Sequence, residues 1–382
     1  MPFFCSRPHG FFSYLIPVAA TALVLAGGAA RAQVKPSSPT VYPPPAPLIT
    51  DTLAANQVGA AQRYAVPSVI GMGPSKGVVA HIEGLANFNI KSDLRDREPN
   101  EKTENTVVKN RRAFIKAYAP LLNRPRLKLI LGVNYDREEF KFEDPNRSVF
   151  YRDLEDKGLK TLGAQLAVIR PIDEVHWYLA RVKGELNGDY TSSELSVSDY
   201  LKMSGEFIYG WKRSPSYAWG VGAQLGYTFG RQSLYPVILY NRTFNPRWGV
   251  EALFPARVTL RRNVDSKTLF FGGYTVDGLN YNIKLREPLR ELQTLIIRQT
   301  ELKFRLRAER EIYDFLWVGL EGGYRYNYSF NAFDEDSNRR NLFGIGGGNR
   351  DKTVVNTLGG APYLSVEVFL VPPRKLLNKI SK

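Results

Sequence analysis

From residue 78 onward the chain is built of segments in which every second side chain is apolar and those between are mostly charged, polar or small. Successive side chains of an extended strand point to opposite faces, so this period of two specifies strands with two unlike faces. Leu127, Leu129, Leu131, Val133 and Tyr135 share one face, against Lys128, Ile130, Gly132, Asn134 and Asp136. Tyr178, Ala180, Val182, Gly184 and Leu186 oppose Leu179, Arg181, Lys183, Glu185 and Asn187, and Leu201, Met203, Phe207, Tyr209 and Trp211 oppose Lys202, Ser204, Glu206 and Lys212. The pattern returns at Leu302, Phe304, Leu306 and Ala308 against Glu301, Lys303, Arg305, Arg307 and Glu309, and at Leu364, Val366, Val368 and Leu370.

A soluble β-sandwich alternates too, and three features favour a membrane-spanning barrel. Several segments exceed the five or six residues usual for soluble strands and reach the roughly 9 to 11 that a tilted strand needs to cross a bilayer. The connections alternate in length: 123–125, 171–174, 213–216, 245–247, 264–266 and 311–314 are tight, while 92–105, 142–158, 188–198, 277–293 and 330–358 are long and polar. Outer-membrane barrels keep short turns at the periplasmic end and long loops outside. The five tryptophans all lie near the tight turns, as an interfacial belt requires; the register puts Trp211, Trp219 and Trp248 toward lipid and Trp177 and Trp317 inside. Tyr135, Tyr227, Phe229, Tyr326 and Tyr328 are expected in the belt at the other end. With tight reversals at 230–233 and 254–256, the expectation is an all-β, antiparallel transmembrane barrel of 12 to 14 strands, the count resting on whether Pro255 marks a turn or a kink.

The start of the chain agrees with export. Arg7, the apolar run from Phe11 to Gly28 and Ala30-Arg31-Ala32 read as a signal peptide over 1–32, cut after Ala32. Residues 33–77, with Pro43-Pro44-Pro45 and Pro47, read as a Pro-rich periplasmic linker, a plug inside the barrel being the less favoured alternative because few of its residues could build a core; 78–371 read as the barrel, and 372–382 as a basic C-terminal tail, both termini lying in the periplasm. The single cysteine, Cys5, leaves with the leader, which excludes disulfides and thiol catalysis from the exported part. The net charge is +15 and falls only by Arg7 and Arg31 on cleavage. For an exported chain such basicity points to membrane surfaces and anionic solutes, not nucleic acid.

Residues 246–281 carry a resemblance. The tight turn Pro246-Arg247, the Trp248-Gly249 strand, Leu253-Phe254-Pro255-Ala256 and Asp277-Gly278-Leu279-Asn280-Tyr281, together with Tyr363-Leu364-Ser365-Val366 ending at Pro372-Pro373, are similar to a Gram-negative outer-membrane β-barrel family that carries only a domain-of-unknown-function name. The resemblance covers roughly 78–371 and implies fold and location, with no reaction or binding residue. The chain departs from the barrel habit of ending on an aromatic, since Pro372 to Lys382 extends past Phe369. The partners implied are outer-membrane lipid and the barrel-assembly machinery.

For chemistry, only His81 and His176 remain after cleavage. No Ser-His-carboxylate spacing exists, so neither an enzyme nor a metal centre is expected, and no cofactor. Asp334-x-Asp336-x-Asn338 resembles the start of a calcium loop, but Arg339 stands where glycine should turn the chain and Ile345 where an acid should ligate. Gly346-Gly347-Gly348 reads as loop. The suggestive surface is the inward face: Arg181, Lys183, Lys202, Arg257, Arg261, Lys303, Arg305, Arg307 and Arg325, against Glu185, Glu206 and Glu321, basic on balance. An aqueous passage lined this way favours small anionic solutes, as porin-like channels do. The alternative is a structural or surface-binding barrel whose lumen is closed by Arg–Glu pairs, and a barrel hydrolase is a third, remoter reading.

Overall fold

In the computed structural model the described residues are 64–94, 101–191, 195–289, 292–334 and 353–372. The leader, the linker up to residue 63, the loop over 335–352 with its calcium-like and triple-glycine motifs, and the tail beyond Pro372 lie outside them. Every strand from β3 to β14 pairs antiparallel with its chain neighbours: β3 (Glu101–Arg124), β4 (Leu127–Phe142), β5 (Leu159–Pro171), β6 (His176–Gly188), β7 (Leu201–Ser214), β8 (Tyr217–Gly226), β9 (Ser233–Asn245), β10 (Trp248–Phe254), β11 (Arg257–Asn263), β12 (Thr268–Leu289), β13 (Leu292–Tyr313) and β14 (Leu316–Asp334). The seam is made by two broken strands. β1 (Val78–Leu85) and β2 (Phe88–Leu94) run on from one another along β3, while β15 (Val354–Leu358) and β16 (Ala361–Leu370) run on along β14 and pair with β2 and β1 in turn. Counting each broken strand once, the sheet closes as a fourteen-stranded barrel, and Pro255 stands in a true hairpin between β10 and β11.

The register is the one the alternation specifies. Ile115, Val133, Leu162, Phe207, Leu306 and Leu320 are exposed on the outer wall, while the residues between them face in. Trp177 and Trp317 are buried inside, and Trp211 and Trp219 stack outside with ring centroids 4.5 Å apart. The tight turns lie at one end of the barrel together with Val78 and Leu370, and the long connections lie at the other.

Wall height varies around the circumference. β3 has 24 residues, β12 and β13 have 22 each and β14 has 19, but β10 and β11 have only 7. At about 3.3 Å per residue those two strands rise roughly 23 Å. Of residues 277–293, expected as a loop, 277–289 and 292–293 are therefore strand: the hairpin β12–β13 continues far past its neighbour, because cross-strand pairing between its own arms holds from Asp277↔Glu301 to Lys284↔Thr294. Above Val276 the outer edge of β12 has no β11 residue to bond, since Arg257 pairs with Thr275. Backbone groups of such an edge must find other partners.

They find them by folding inward across the loop end. Asn282 pairs with Gly188 of β6 on the far wall, the Lys284 N–H donates to Asp189 (3.1 Å) and the Arg286 N–H to Asp153 (2.7 Å), and beside them the Asn280 side chain donates through Nδ2 to the Gly230 carbonyl (3.1 Å). Asp153 belongs to α1 (Val149–Lys157), formed in the connection after β4, its N-terminus capped by the Ser148 hydroxyl accepting from Phe150 N–H. Phe150, Tyr151 and Leu154 of this helix pack with Phe142, Ile283, Leu295 and Phe330 in the largest apolar cluster of the protein. A short helix, α2 (Val197–Tyr200), completes the cover. Tyr227 and Phe229 lie in the reversal after β8 under this hairpin and not in a strand of the wall; burial pushes the Tyr227 hydroxyl up to about 12.

Residues 64–77, the end of the stretch read as a linker, run along the inside of the turn end. Asn241, Thr243 and Asn263 donate to the carbonyls of Pro67 (2.9 Å), Ile70 (2.6 Å) and Gly71 (3.0 Å), and Lys212 donates to that of Ser68. Polar side chains that face inward on β9 and β11 are thus used to hold a strap across the turn end.

Candidate functional site

Between the strap and the inward-folded hairpin lies a chamber of about 640 Å³. Its floor is Met72, Gly73, Pro74 and Lys76, its roof Asp277, Gly278, Leu279 and Tyr281, and its wall is charged.

On the tall side of the wall the charges saturate one another. Arg112 reaches Glu138 (2.6 Å) and Glu301 (3.2 Å), and Arg325 reaches the same two carboxylates (3.2 and 3.1 Å) and the Asn110 carbonyl oxygen (2.6 Å). Two guanidinium groups and two carboxylates from β3, β4, β13 and β14 therefore close a square, with Arg325 and Glu301 fully buried. One strand step away Lys303 donates to both oxygens of Glu83 (2.9 Å). Toward the turn end Arg307 bonds Glu309 (2.8 Å) and Glu367 (3.3 Å), both of which also hold Lys76 of the strap (2.8 and 2.6 Å). Arg305 meets Glu321 (3.3 Å) and the Thr259 hydroxyl (3.2 Å), and Tyr363 donates to Glu321 (2.9 Å).

The lower side is looser. Arg181 pairs with Glu206 (2.9 Å) and Lys183 with Glu185 (2.5 Å), each cation about one-third exposed. Arg257 is exposed toward the chamber, and among the described residues no carboxylate pairs with it. Two inward cations serve the covers instead: Lys202 donates to Asn282 of the hairpin (2.8 Å) and Lys212 holds the strap, while Arg261, fully buried below Gly71, donates to Thr243 (2.8 Å) and meets Glu251 (3.3 Å) within the wall.

Of the residues expected in the lumen, Lys183, Glu185, Arg257, Lys303, Arg305, Arg307 and Glu321 line the chamber, whereas Arg181, Glu206, Lys202, Arg261 and Arg325 do not. The expectation of a basic surplus needs correcting for the chamber itself, which acidic and basic side chains line in nearly equal number. Of the surplus cations, Lys202 and Lys212 are spent on carbonyl oxygens of the covers and Arg261 on wall residues beneath the strap. Sequence reasoning missed Arg112, Glu138, Glu83 and Lys76. The alternation Val79, His81, Glu83, Leu85 was a usable signal for Glu83, but in Lys109-Asn110-Arg111-Arg112 both faces are polar and parity is hidden. His81 is buried in the wall, stacked on Phe114 (4.3 Å) with Nδ1 3.4 Å from Glu367. His176 opens β6 beside the tight turn, its ring 2.7 Å from Asp173.

The sequence profile described as Domain of unknown function (DUF6268) matches residues 127–367. The chain belongs to this family. The match begins at β4 and ends within β16, so this DUF6268 member carries the strap and the first half of its seam ahead of the matched region. Solved structures with a similar fold include an outer membrane channel from Pseudomonas putida F1 (11% identity, covering 80% of this chain and 100% of that one, TM-score 0.35). A FadL homologue of Pseudomonas aeruginosa (11%, 78% and 90%, TM-score 0.30) and the outer membrane protease OmpT of Escherichia coli (8%, 80% and 100%, TM-score 0.27) are others. No curated protein matches. The DUF6268 chain is an all-β, fourteen-stranded antiparallel barrel, and these likenesses, at such identities and scores, carry nothing about its role.

Proposed function

We propose that this barrel is an outer-membrane passage for small charged or zwitterionic solutes, occluded at rest, with its turn end and both termini in the periplasm and its loop end outside. The observation that carries the reading is the chamber: it is closed by a strap and a hairpin, not by narrowing of the wall, so displacing either cover opens the lumen without breaking the sheet. The even balance of charge along the chamber favours solutes that bear both signs, with Arg257 offering a carboxylate or phosphate its nearest free guanidinium. No chemistry on a substrate is assigned to it.

The square of Arg112, Glu138, Arg325 and Glu301 supports the rival reading, a structural barrel whose lumen never conducts. Planar-bilayer recording separates the two. The passage reading expects infrequent small steps from the purified protein and more frequent ones from Lys76→Gln/Lys212→Gln, which loosens the strap at both of its lysine contacts. Silence from both proteins, each shown to be folded and inserted, leaves the structural barrel.

A further inference from the structure

The outer wall changes character abruptly above the loop-end belt on β3 and β4. The lipid-facing columns read Ile115, Ala113, Arg111, Lys109 on β3 and Val133, Tyr135, Arg137, Glu139, Lys141 on β4. Ile115, Val133 and Tyr135 are exposed hydrophobics, and Lys109, Arg111, Arg137 and Lys141 are exposed cations on the same face. Lys109 and Lys141 are direct cross-strand partners, as are Arg137 and Lys160 of β5. Like charges directly opposite one another weaken a sheet, so the Lys109–Lys141 pair favours an anion beside it. Glu139 pairs with Arg137 (2.8 Å), and no carboxylate among the described residues pairs with Lys109, Arg111 or Lys141. Elsewhere on the outer wall the column ends differently: on β14 it runs Tyr324, Tyr326, Tyr328. At the turn end Arg242 and Arg262 lie over the rings of Tyr217 (5.6 Å) and Trp248 (5.4 Å).

We propose that Lys109, Arg111, Arg137 and Lys141 form a binding site on the outer wall for the phosphate groups of an outer-leaflet lipid. The chemistry is set by position. Arg137 follows Tyr135 by two residues, roughly 7 Å along the strand, so the cations stand at the level where hydrocarbon gives way to headgroups, and a ligand there has its acyl chains against Val133 and Ile115. Exposed lysine and arginine on one sheet face make charge-assisted bonds to phosphate oxygens without burying a charge in the wall. The assignment to the outer leaflet rests on the orientation proposed above.

The test is a titration of the purified full-length barrel in neutral detergent with diphosphorylated lipid A, followed by the thermal unfolding midpoint. The midpoint of the natural protein rises. K109Q/R111Q/R137Q/K141Q loses most of that rise and binds at least about tenfold more weakly, the loss expected for removing charge-assisted bonds, while K109R/K141R keeps it. Gel mobility before heating confirms that each variant is folded. An equal rise in the neutral variant overturns the site. So does an equal rise with dephosphorylated lipid A, with inorganic phosphate alone, or with phosphatidylglycerol micelles. Orientation is read separately by labelling Asn146→Cys, an exposed position in the connection after β4, from outside intact cells. Labelling only after permeabilisation overturns the orientation while leaving the lipid titration to stand on its own.

Discussion

The two halves of the wall solve the same problem, an inward face of ionisable groups, in opposite ways. The tall half, β12 to β14 with β1, β16 and β3, pairs nearly every inward charge with another inward charge. The lower half, β6 to β11, spends its inward polar groups on chain segments that are not wall at all: Asn241, Thr243, Asn263, Lys212 on the strap and Lys202 on the hairpin. The tall half is a core made of ions, and the low half is a dock for covers. Rigidity and mobility in this barrel should therefore divide by side of the wall, not by depth.

The largest test of that division falls on the tall half. Removing one partner of a buried ion pair leaves the other charged and desolvated, at a cost of about 3–5 kcal/mol. Glu301→Gln is expected to destabilise by that order, read as the denaturant midpoint of the refolded barrel, with bilayer conductance unaltered in protein that does fold. The corresponding change on the low side, Arg181→Gln, breaks a pair that is one-third exposed on the arginine side and is expected to cost well under that. Equal losses would mean the two halves are not different in kind.

A second test strikes the cover. An added Cβ at Gly278 would lie 1.9 Å from the Tyr227 carbonyl oxygen, and one at Gly188 would lie 2.5 Å from the Asn282 carbonyl oxygen and 2.3 Å from the Tyr200 ring. These glycines are where the overlong hairpin passes close to the low wall. Gly278→Leu is expected to unseat the roof, costing about 1–3 kcal/mol as overpacking does, and to raise the frequency of conductance steps. A stable, silent variant would remove the hairpin as a gate.

How much of this was legible follows from the same contrast. Period two exposed the lipid face and the tight turns because hydrocarbon imposes a strict demand on every second residue. Within the lumen no such demand exists, so Arg305, Arg307 and Glu321 could be placed inside from sequence while their partners could not. Glu301 meets Arg112 across 189 positions, and nothing local in either segment encodes that. The arms of the hairpin within 277–289 and 292–293 were misread as loop because the apolar column stops there: Asn280, Asn282, Lys284 and Arg286 remove it while the strand geometry persists through mutual pairing. The strap was disfavoured as a plug for a related reason, since most of its bonds to the wall are made by backbone carbonyls that every sequence possesses.

The cover should also respond to pH. Asp189 accepts from Lys157 (3.0 Å) and from the Lys284 N–H beneath the roof. Burial holds its acid above the ordinary carboxylate range, ahead of the opposing pull of Lys157. A seated roof therefore binds this proton more tightly than an open one, so closure is strongest at acid pH and weakens as pH rises from the ordinary carboxylate value through the raised one. Asp189→Asn is expected to flatten the pH dependence of opening frequency above about pH 4. A dependence of the opposite sign would place the controlling group elsewhere.

The smallest effect belongs to the turn end, and its sign is reversed. Asp173 lies in the turn between β5 and β6, where it accepts from the backbone N–H groups of His176 (2.6 Å) and Val175 (2.7 Å) and from the His176 ring (2.7 Å). The His176 backbone bond, then the ring, then Val175 bring its carboxyl down to about 2. A group depressed on folding contributes stability that is fully present above its unfolded value, near 4, and is lost as pH falls toward 2. The turn is open to water, so screening leaves the contribution small. Because Ala65 N–H of the strap bonds the Asp173 carbonyl (2.9 Å), loosening of this turn should be felt by the strap's first residues before it is felt by the wall. In amide hydrogen exchange at pH 3, Asp173→Asn is expected to lower protection of Ala65 and His176 slightly while leaving β13 unchanged. Loss of protection in β13 would show that covers and wall are one cooperative unit after all.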